Sequence, residues 1–501
     1  MTNWLGATML TMIGRIKSSF LKFMKTDLYS ATLFFAIALF LRSLPELIVP
    51  EYPVGYETIT YYAPPLLFSK PGYVDLLETF ITRSQFLIAQ KPLFDTFRAG
   101  PLFYGLTLFV SSLSGVNGFV ILKIAGPLLY GGLAFSFFIF VRRGLNLESR
   151  TAFLATLLMV FQPAALRESW DRYRTVLALV FFFAALTATK REWRMKWPIV
   201  AVLGILTVLS RDYIGVLLFV TIMGSAIYEC KNRISSTAAM MPIFAILLAM
   251  YNPVWLSWNY LSNNSPFVTG DYASMVKDAF FIFVICYLPL LPLVLKGFSK
   301  NSTLMTMLVS LVLGSFSVAL IPWMAIPGYQ RWLMLLVFPL CVYSALGLQC
   351  FFSDKKRMLI VTTIVLAFMF VGMSYTTGFF SYTRVLPTSY IPGNLTGSSV
   401  SWNQVDDLKS CLSWLGNYTT SNSTLFVEER FYGWSLIYLK PNDGRISIMP
   451  YASASSFKAS FEEARSRDIR QFYLIWYTNS TVQEFGLLHS EGAISVFKYS
   501  K

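Results

Sequence analysis

The sequence predicts a polytopic α-helical membrane protein of about 11 spans, or about 12–13 if shorter apolar runs also cross, followed by a small α/β domain. Three observations predict it. Of 501 residues, 55% are hydrophobic and 13% charged, and the mean hydropathy is +0.55. That is more apolar surface than a water-soluble fold can hide and too little charge to mask it. The apolar residues fall in runs near the roughly 20 residues that cross a hydrocarbon core. The polar stretches between them alternate between Lys/Arg-rich and Lys/Arg-poor, and short basic loops stay cytoplasmic. In a soluble chain a net charge of +15 would suggest nucleic acid. Here the cations sit at span ends, where anionic headgroups meet them, so nucleic acid is excluded as a partner.

Residues 1–27 form a cytoplasmic amphipathic segment in this reading. Met9, Met12, Ile13, Ile16, Phe20 and Phe23 recur at near-helical spacing among Arg15, Lys17 and Lys22, the pattern of a helix lying on a leaflet. No small-residue cleavage pattern follows the next apolar block, so it is not read as a cleaved signal. The spans are Leu28–Val49, Phe119–Val141, Thr151–Arg167, Arg174–Thr189, Trp197–Leu209, Tyr213–Tyr228, Ala238–Leu256, Ala279–Leu295, Thr303–Ile326, Trp332–Phe352 and Met358–Phe380. Pro101–Leu113 is read as re-entrant or interfacial, because a crossing there would invert every later loop and move the basic ones outside.

The basic loops carry Arg142, Arg143 and Arg150; Lys190, Arg191, Arg194 and Lys196; Lys231 and Arg233; Lys296 and Lys300; and Lys355, Lys356 and Arg357. With these inside, the N-terminus is cytoplasmic in a multi-pass protein of the cell membrane. The exterior then holds the long first loop 46–100, the turns at Arg167–Arg174, Ser210–Asp212 and Pro327–Arg331, residues 257–278, and residues 381–501. That last segment is richer in Gly, Ser, Asn and Thr. Its patterning predicts helices near Asn403–Leu415 and Phe457–Arg467, and strands at Leu425–Val427, Gln471–Trp476 and Ile494–Tyr499, an extracytoplasmic α/β domain. It holds Asn-x-Ser/Thr triplets at Asn394, Asn417, Asn422 and Asn479, with another at Asn263 in an outer loop, although Asn301 matches too and lies in an inner one. No internal disulfide is expected in that domain, since only Cys411 of the five cysteines falls there. His489 is the single histidine, which argues against a zinc site or a His-based triad.

Chemistry is expected where ionisable groups meet the outer face. The first loop reads PELIVPEYPVGYETITYYAPPLL, with Glu46, Glu51 and Glu57 close to the end of the first span. A carboxylate there can act as a general base or hold a divalent cation; the bland alternative is a solvated loop acid. The second constellation is RESWDRYR, Arg167 to Arg174, where planar, bidentate guanidiniums suit a phosphate or pyrophosphate and equally suit lipid headgroups. Within it Asp171 and Arg172 are the stronger candidates. Arg211 in LSRDY and Arg331 in IPGYQRWLML each sit at an outer span end, where a charge is costly unless paired or used, or snorkels to the interface.

A long acidic first outer loop, the Pro-containing run RAGPLFYGLTLF after it, an Arg/Asp turn between two middle spans and an outer C-terminal α/β domain together resemble the GT-C superfamily of membrane glycosyltransferases. Within it the chain looks similar to prokaryotic, archaeal-type relatives of the protein O-mannosyltransferases and oligosaccharyltransferase catalytic subunits. The resemblance covers the whole architecture on loose motifs. It implies a polyprenyl-phosphate- or polyprenyl-diphosphate-linked sugar donor, with transfer to a protein, lipid or glycan acceptor at the outer membrane face. Glu57 in YPVGYETITYY would be the catalytic base, with Asp171 beside it in the middle turn. Arg172, Arg211 and Arg331 would bind the donor phosphate, and Glu46 and Glu51 would be further acidic or metal-binding residues. The metal is unknown, Mg or Mn being the candidate cation. The adjacent acidic pair or Asp-x-Asp of better-known members is absent from the first loop, as is the tail motif Trp-Trp-Asp-x-Gly. The other class of reading is a transporter or flippase of a lipid-linked sugar, or a non-catalytic scaffold of GT-C type. It is disfavoured because no inverted repeat is found and mid-span charge is sparse.

Overall fold

A computed structural model describes residues 27–47, 51–53, 55, 57–67, 100–229, 233–250, 272–320, 329–351, 400, 402–419, 423–439, 446–451, 471–478 and 484–499, with short pieces of 359–370 and 457–465. The expected amphipathic helix before residue 27, most of the first loop and most of the span Met358–Phe380 lie outside the described residues.

Five helices are long and apolar enough to cross a membrane: Asp27–Leu47 (α1), Gly118–Gly144, Asp212–Glu229, Met275–Gly297 and Tyr329–Gln349. Shorter apolar helices lie among them, and the molecule is a multi-pass membrane protein. In chain order a π-helical turn, Thr58–Tyr62, leads into α2 (Ala63–Leu67). Then come α3 (Pro101–Ser114), α4 (Gly118–Ile139), α5 (Ser149–Phe161), α6 (Pro163–Asp171), α7 (Tyr173–Thr189), α8 (Lys196–Ser210), α9 (Asp212–Glu229) and α10 (Arg233–Met250). After these follow α11 (Tyr272–Tyr287), α12 (Leu291–Gly297), α13 (Ser302–Ser315), α14 (Ser317–Leu320), α15 (Tyr329–Leu335) and α16 (Val337–Phe351).

Charge fixes how the helix ends meet. Asp27 begins α1 and pairs with Arg142 and Arg143 at 3.3 and 3.2 Å, at the far end of α4. An acid at a helix start and cations at a helix end each oppose the macrodipole favourably, so α1 and α4 lie antiparallel. Lys190 at the end of α7 joins Glu229 at the end of α9 at 2.7 Å. Two of the basic loops that sequence grouped on one side therefore share one end of the bundle.

The predicted span Thr151–Arg167 is two helices bent by 59°. The cause is local: Gln162 precedes Pro163, and steric pressure from proline holds it extended at ψ 127°. The break is not left polar in an apolar interior. The Gln162 amide oxygen accepts from Ala164 N at 2.7 Å and its amide nitrogen donates to the Cys286 carbonyl, as a bilayer-embedded backbone requires. The predicted Arg167–Arg174 turn is also tighter than expected. Helix α6 runs on to Asp171, α7 begins at Tyr173, and only Arg172 leaves helical geometry, at φ −105° and ψ 51°.

Phe183 packs edge to face with Phe137, Phe182 and Phe338 in the bundle core. Tyr287 donates to the Leu333 and Met334 carbonyls at 2.7 and 2.9 Å, satisfying the end of the short helix α15. Helices α12 and α16 cross at Gly297 and Gly347. A Cβ on Gly347 would lie 1.9 Å from the Leu293 carbonyl oxygen, the close backbone approach that small residues permit in membranes.

The C-terminal segment forms α17 (Trp402–Tyr418), β1 (Ser423–Glu428), α18 (Glu429–Leu439), β2 (Ile446–Tyr451), β3 (Gln471–Tyr477), β4 (Phe485–Glu491) and β5 (Ile494–Tyr499). The sheet order is β2-β1-β3-β5-β4, parallel across the first three strands and antiparallel across the rest. Strand β1, inside the sheet between β2 and β3, is buried along nearly its whole length. Its Leu425 and Val427 face the α17 and α18 side chains, and Phe426 faces a second cluster with Phe461, Phe472 and Phe485.

Candidate active site

The π-helical turn that follows Glu57 is the first element of the site. In TITYY every residue but Tyr61 is buried, and such a turn presents its side chains at offsets an α-helix cannot reach. It is held from two sides. Tyr62 stacks on Tyr173 at 5.4 Å and 13°, and Phe103 of α3 packs on both rings. Across the turn, α18 of the C-terminal segment packs so closely that a Cβ on Gly433 would lie 2.7 Å from Thr60 Cα. Tyr52 ties the same loop to that segment, edge to face with Trp434 at 5.0 Å and accepting from Lys409 Nζ at 3.3 Å.

Glu57 meets arginines from two distant parts of the chain. Arg331 Nη2 donates to Glu57 Oε1 at 3.2 Å, and Arg172 Nε lies 3.8 Å from the same oxygen. Arg172 also binds Glu168 one turn earlier on α6 and reaches Met334 Sδ at 3.4 Å. Arg211 occupies the extended break between α8 and α9, with its guanidinium 5.3 Å from the Tyr213 ring centre and 3.9 Å from Asp212. Arg174 Nε donates to Tyr62 Oη at 3.3 Å, and its guanidinium lies over the Tyr62 and Tyr104 rings at 5.5 and 5.6 Å, a cation–π cradle. Burial alone would push the Glu57 carboxyl up. The field of Arg331, Arg172, Arg211 and Arg174 outweighs it and holds the group below its ordinary value of 4.5.

The cluster is closed at one side and open at the other. The Arg172 and Glu57 side chains are 6% and 12% exposed, and Arg331 is 34% exposed. Arg211 Nε is buried yet has no acceptor within hydrogen-bonding distance among the described residues. A buried donor without an acceptor is costly, and an anion entering here would satisfy it.

The structure thus brings together Glu57, Arg172, Arg211 and Arg331. Asp171 ends α6 next to Arg172, and its side chain lies outside the described residues. Glu46 belongs to another group: its carboxylate pairs with Arg42 at 2.8 Å and Lys123 at 3.7 Å. Glu51 is exposed. Sequence reading did not single out Arg42, whose side chain is fully buried. It donates to the Ser169 and Trp170 carbonyls at 3.0 and 3.1 Å and to Tyr173 Oη at 3.3 Å, fastening the last turn of α6 just before Arg172. An arginine inside a predicted span was the signal for it. Among the described residues no three His, Cys, Asp or Glu side chains converge as metal ligands, and guanidiniums surround the Glu57 carboxylate. This donor set does not fit a divalent cation.

The sequence matches no protein-family model and no curated protein sequence. The fold does match solved structures. The crystal structure of ArnT from Cupriavidus metallidurans bound to undecaprenyl phosphate is similar at a TM-score of 0.52 and 11% identity, covering 93% of this chain and 97% of that one. The apo state of the same protein gives 0.51 over the same shares. The cryo-EM structure of arabinofuranosyltransferase AftD from Mycobacteria is similar at a TM-score of 0.48 and 12% identity, covering 93% of this chain and 40% of that one. At such identities the likeness is one of fold.

Proposed function

The chain has a GT-C membrane fold, and we propose that on it the arginine cluster around Glu57 binds the phosphate of a polyprenyl-linked sugar and transfers that sugar to an acceptor at the outer membrane face. The observation that carries this reading is the convergence of Arg172 and Arg331 on one carboxylate that also lies in the field of Arg211, whose buried Nε has no hydrogen-bond acceptor among the described residues. ArnT, similar in fold, was solved with undecaprenyl phosphate, which supports a donor of that class.

The roles follow from charge. A lipid-linked donor keeps its tail in the bilayer, so its phosphate must be met near the membrane surface by fixed donors. The guanidinium fork of Arg331, the most exposed of the cluster, would meet it first. As the bond from the anomeric carbon to the phosphate oxygen breaks, negative charge grows on the departing phosphate, and Arg172 and Arg211 would stabilise it from a partly water-excluded position. Glu57 would take the acceptor hydroxyl's proton.

In the donor-free state Glu57 is a weak base, because the arginines hold its proton affinity down. A bound phosphate would neutralise part of that field and return proton affinity to the carboxylate, so base strength would rise when the donor is present. Glu57→Gln keeps the volume and loses the proton acceptor. Transfer from a radiolabelled polyprenyl-phosphate sugar in purified membranes should fall about 10²–10⁴-fold, with donor binding retained. Unchanged transfer in a folded Glu57→Gln protein would remove Glu57 from the role. Flux of the lipid-linked sugar between leaflets without transfer would favour the flippase reading.

A further inference from the structure

A second polar hollow lies away from the Glu57 cluster. Helices α7, α8 and α9 each have one end at that cluster and run 17, 15 and 18 residues, about 22–27 Å at 1.5 Å per residue. Their other ends border a cavity of about 210 Å³ that is also lined by α10 and α13. The hollow therefore sits at the opposite membrane face.

Its lining carries both signs of charge, from Lys190, Arg191, Lys196, Glu192 and Glu229. Lys190 Nζ donates to Glu229 Oε1 at 2.7 Å, Ser302 Oγ donates to the same oxygen, and the Glu229 side chain is still 37% exposed. Lys196 Nζ lies over the Trp197 ring at 5.2 Å. Burial and the nearby Arg143 guanidinium push Arg191 below its ordinary value, against the pull of Asp27, so an added anion would relieve that site. The hydroxyl-bearing Ser236 and Thr303 line the cavity and are buried. Beside it, Trp193, Met195, Ile227, Tyr228 and Ile234 are large apolar side chains left exposed. Trp and Tyr at a membrane boundary mark the headgroup level, and the Met and Ile side chains beside them suit acyl chains.

We propose that this cavity binds the headgroup of a zwitterionic phospholipid, a primary ammonium joined to a phosphate ester. The phosphate would meet Arg191 and Lys196, the ammonium would meet Glu229 and Glu192, and the acyl chains would lie along the exposed apolar rim. A purely anionic headgroup would bring its phosphate to the same cations while leaving two carboxylates beside it. A quaternary ammonium has no N–H to offer those carboxylates. The site thus discriminates by sign pattern and by hydrogen-bond donors, independently of the chemistry at Glu57.

The test is lipid retention by native mass spectrometry of the full chain in detergent. Phosphatidylethanolamine, phosphatidylglycerol and phosphatidylcholine are supplied in equal amounts, with soluble O-phosphoethanolamine as a competitor. Wild type should keep phosphatidylethanolamine about fivefold over the other two, and Glu229→Gln should erase that preference. Because Glu229 also holds Lys190 and Ser302, Lys196→Gln is the second variant. It leaves that pair in place and should lower retention of phosphatidylethanolamine and phosphatidylglycerol alike about fivefold. Equal retention of the three lipids by wild type, or no loss in Lys196→Gln, overturns the proposal. Displacement of the lipid by an equal concentration of O-phosphoethanolamine would overturn the lipid as the source and assign the site to a soluble phosphate ester.

Discussion

Arg331 is the most exposed arginine of the cluster and is hydrogen-bonded to Glu57, so its variants separate charge from geometry. Arg331→Ala should raise the KM for a polyprenyl-linked donor about tenfold or more, and Arg331→Lys much less, since lysine keeps the charge and loses only the fork. Equal KM values in wild type and Arg331→Ala would remove Arg331 from donor binding. The Glu57 carboxyl is held below its ordinary 4.5 in the folded chain. Its ion pairs therefore stabilise the fold above that unfolded value, and the contribution is lost as pH falls through the lower folded value. Thermal melts should show wild type losing stability on acidification below about pH 4.5, with a shallower loss in Glu57→Gln; parallel curves would contradict the pairing. Glu57, Arg172, Arg211 and Arg331 were legible in sequence because each is a charge beside an apolar run. Their partners were not legible. Glu46 and Glu57 look alike in the first loop, and only the fold gives one to Arg42 and Lys123 and the other to arginines over 100 residues away. Arg42 was missed because a span read as a hydropathy average hides a single charge.

Between elements, the contact of α18 with the π-helical turn is the one on which the proposed chemistry would depend. A side chain at Gly433 has no room beside the Thr60 backbone, whereas a Cβ at Gly416 would meet only the Leu439 side chain at 3.4 Å. Gly433→Val should cost about 1–3 kcal/mol in overpacking and reduce transfer beyond what the lost folded fraction explains, while Gly416→Ala changes neither. Full specific activity in the folded fraction of Gly433→Val would mean that the turn tolerates displacement. Strands β1, β3 and β5 were readable from sequence because they are hydrophobic and buried. The edge strands β2 and β4 were missed, being half exposed and mixed in composition, which leaves no period-two signal. Helix α18 was missed too, its Arg430, Gly433 and Ser435 breaking up an otherwise apolar face. The break at Gln162 was written in the sequence as Gln-Pro, but an apolar window averages over it.

Across the whole molecule, the alternation of basic loops has a structural counterpart. Asp27, Arg142, Arg143, Lys190 and Glu229 gather at one end of the helices, while Glu57, Arg172, Arg211 and Arg331 gather at the other. If the basic end is cytoplasmic, Trp193→Cys should react with a membrane-impermeant maleimide only after the membrane is opened. Leu487→Cys, exposed on β4, should react in intact cells. Labelling of both from one side would invert or dismantle the topology. The C-terminal segment's seat on the Glu57 turn also orders events during synthesis. Glu57 is inserted first, and Gly433, which closes on its turn, is made 376 residues later. At about 5–20 residues per second the two are separated by tens of seconds. Through that interval a nascent chain holds its Glu57 carboxylate at the membrane without the helix that seats the turn after it, so the site matures only once Gly433 has been made.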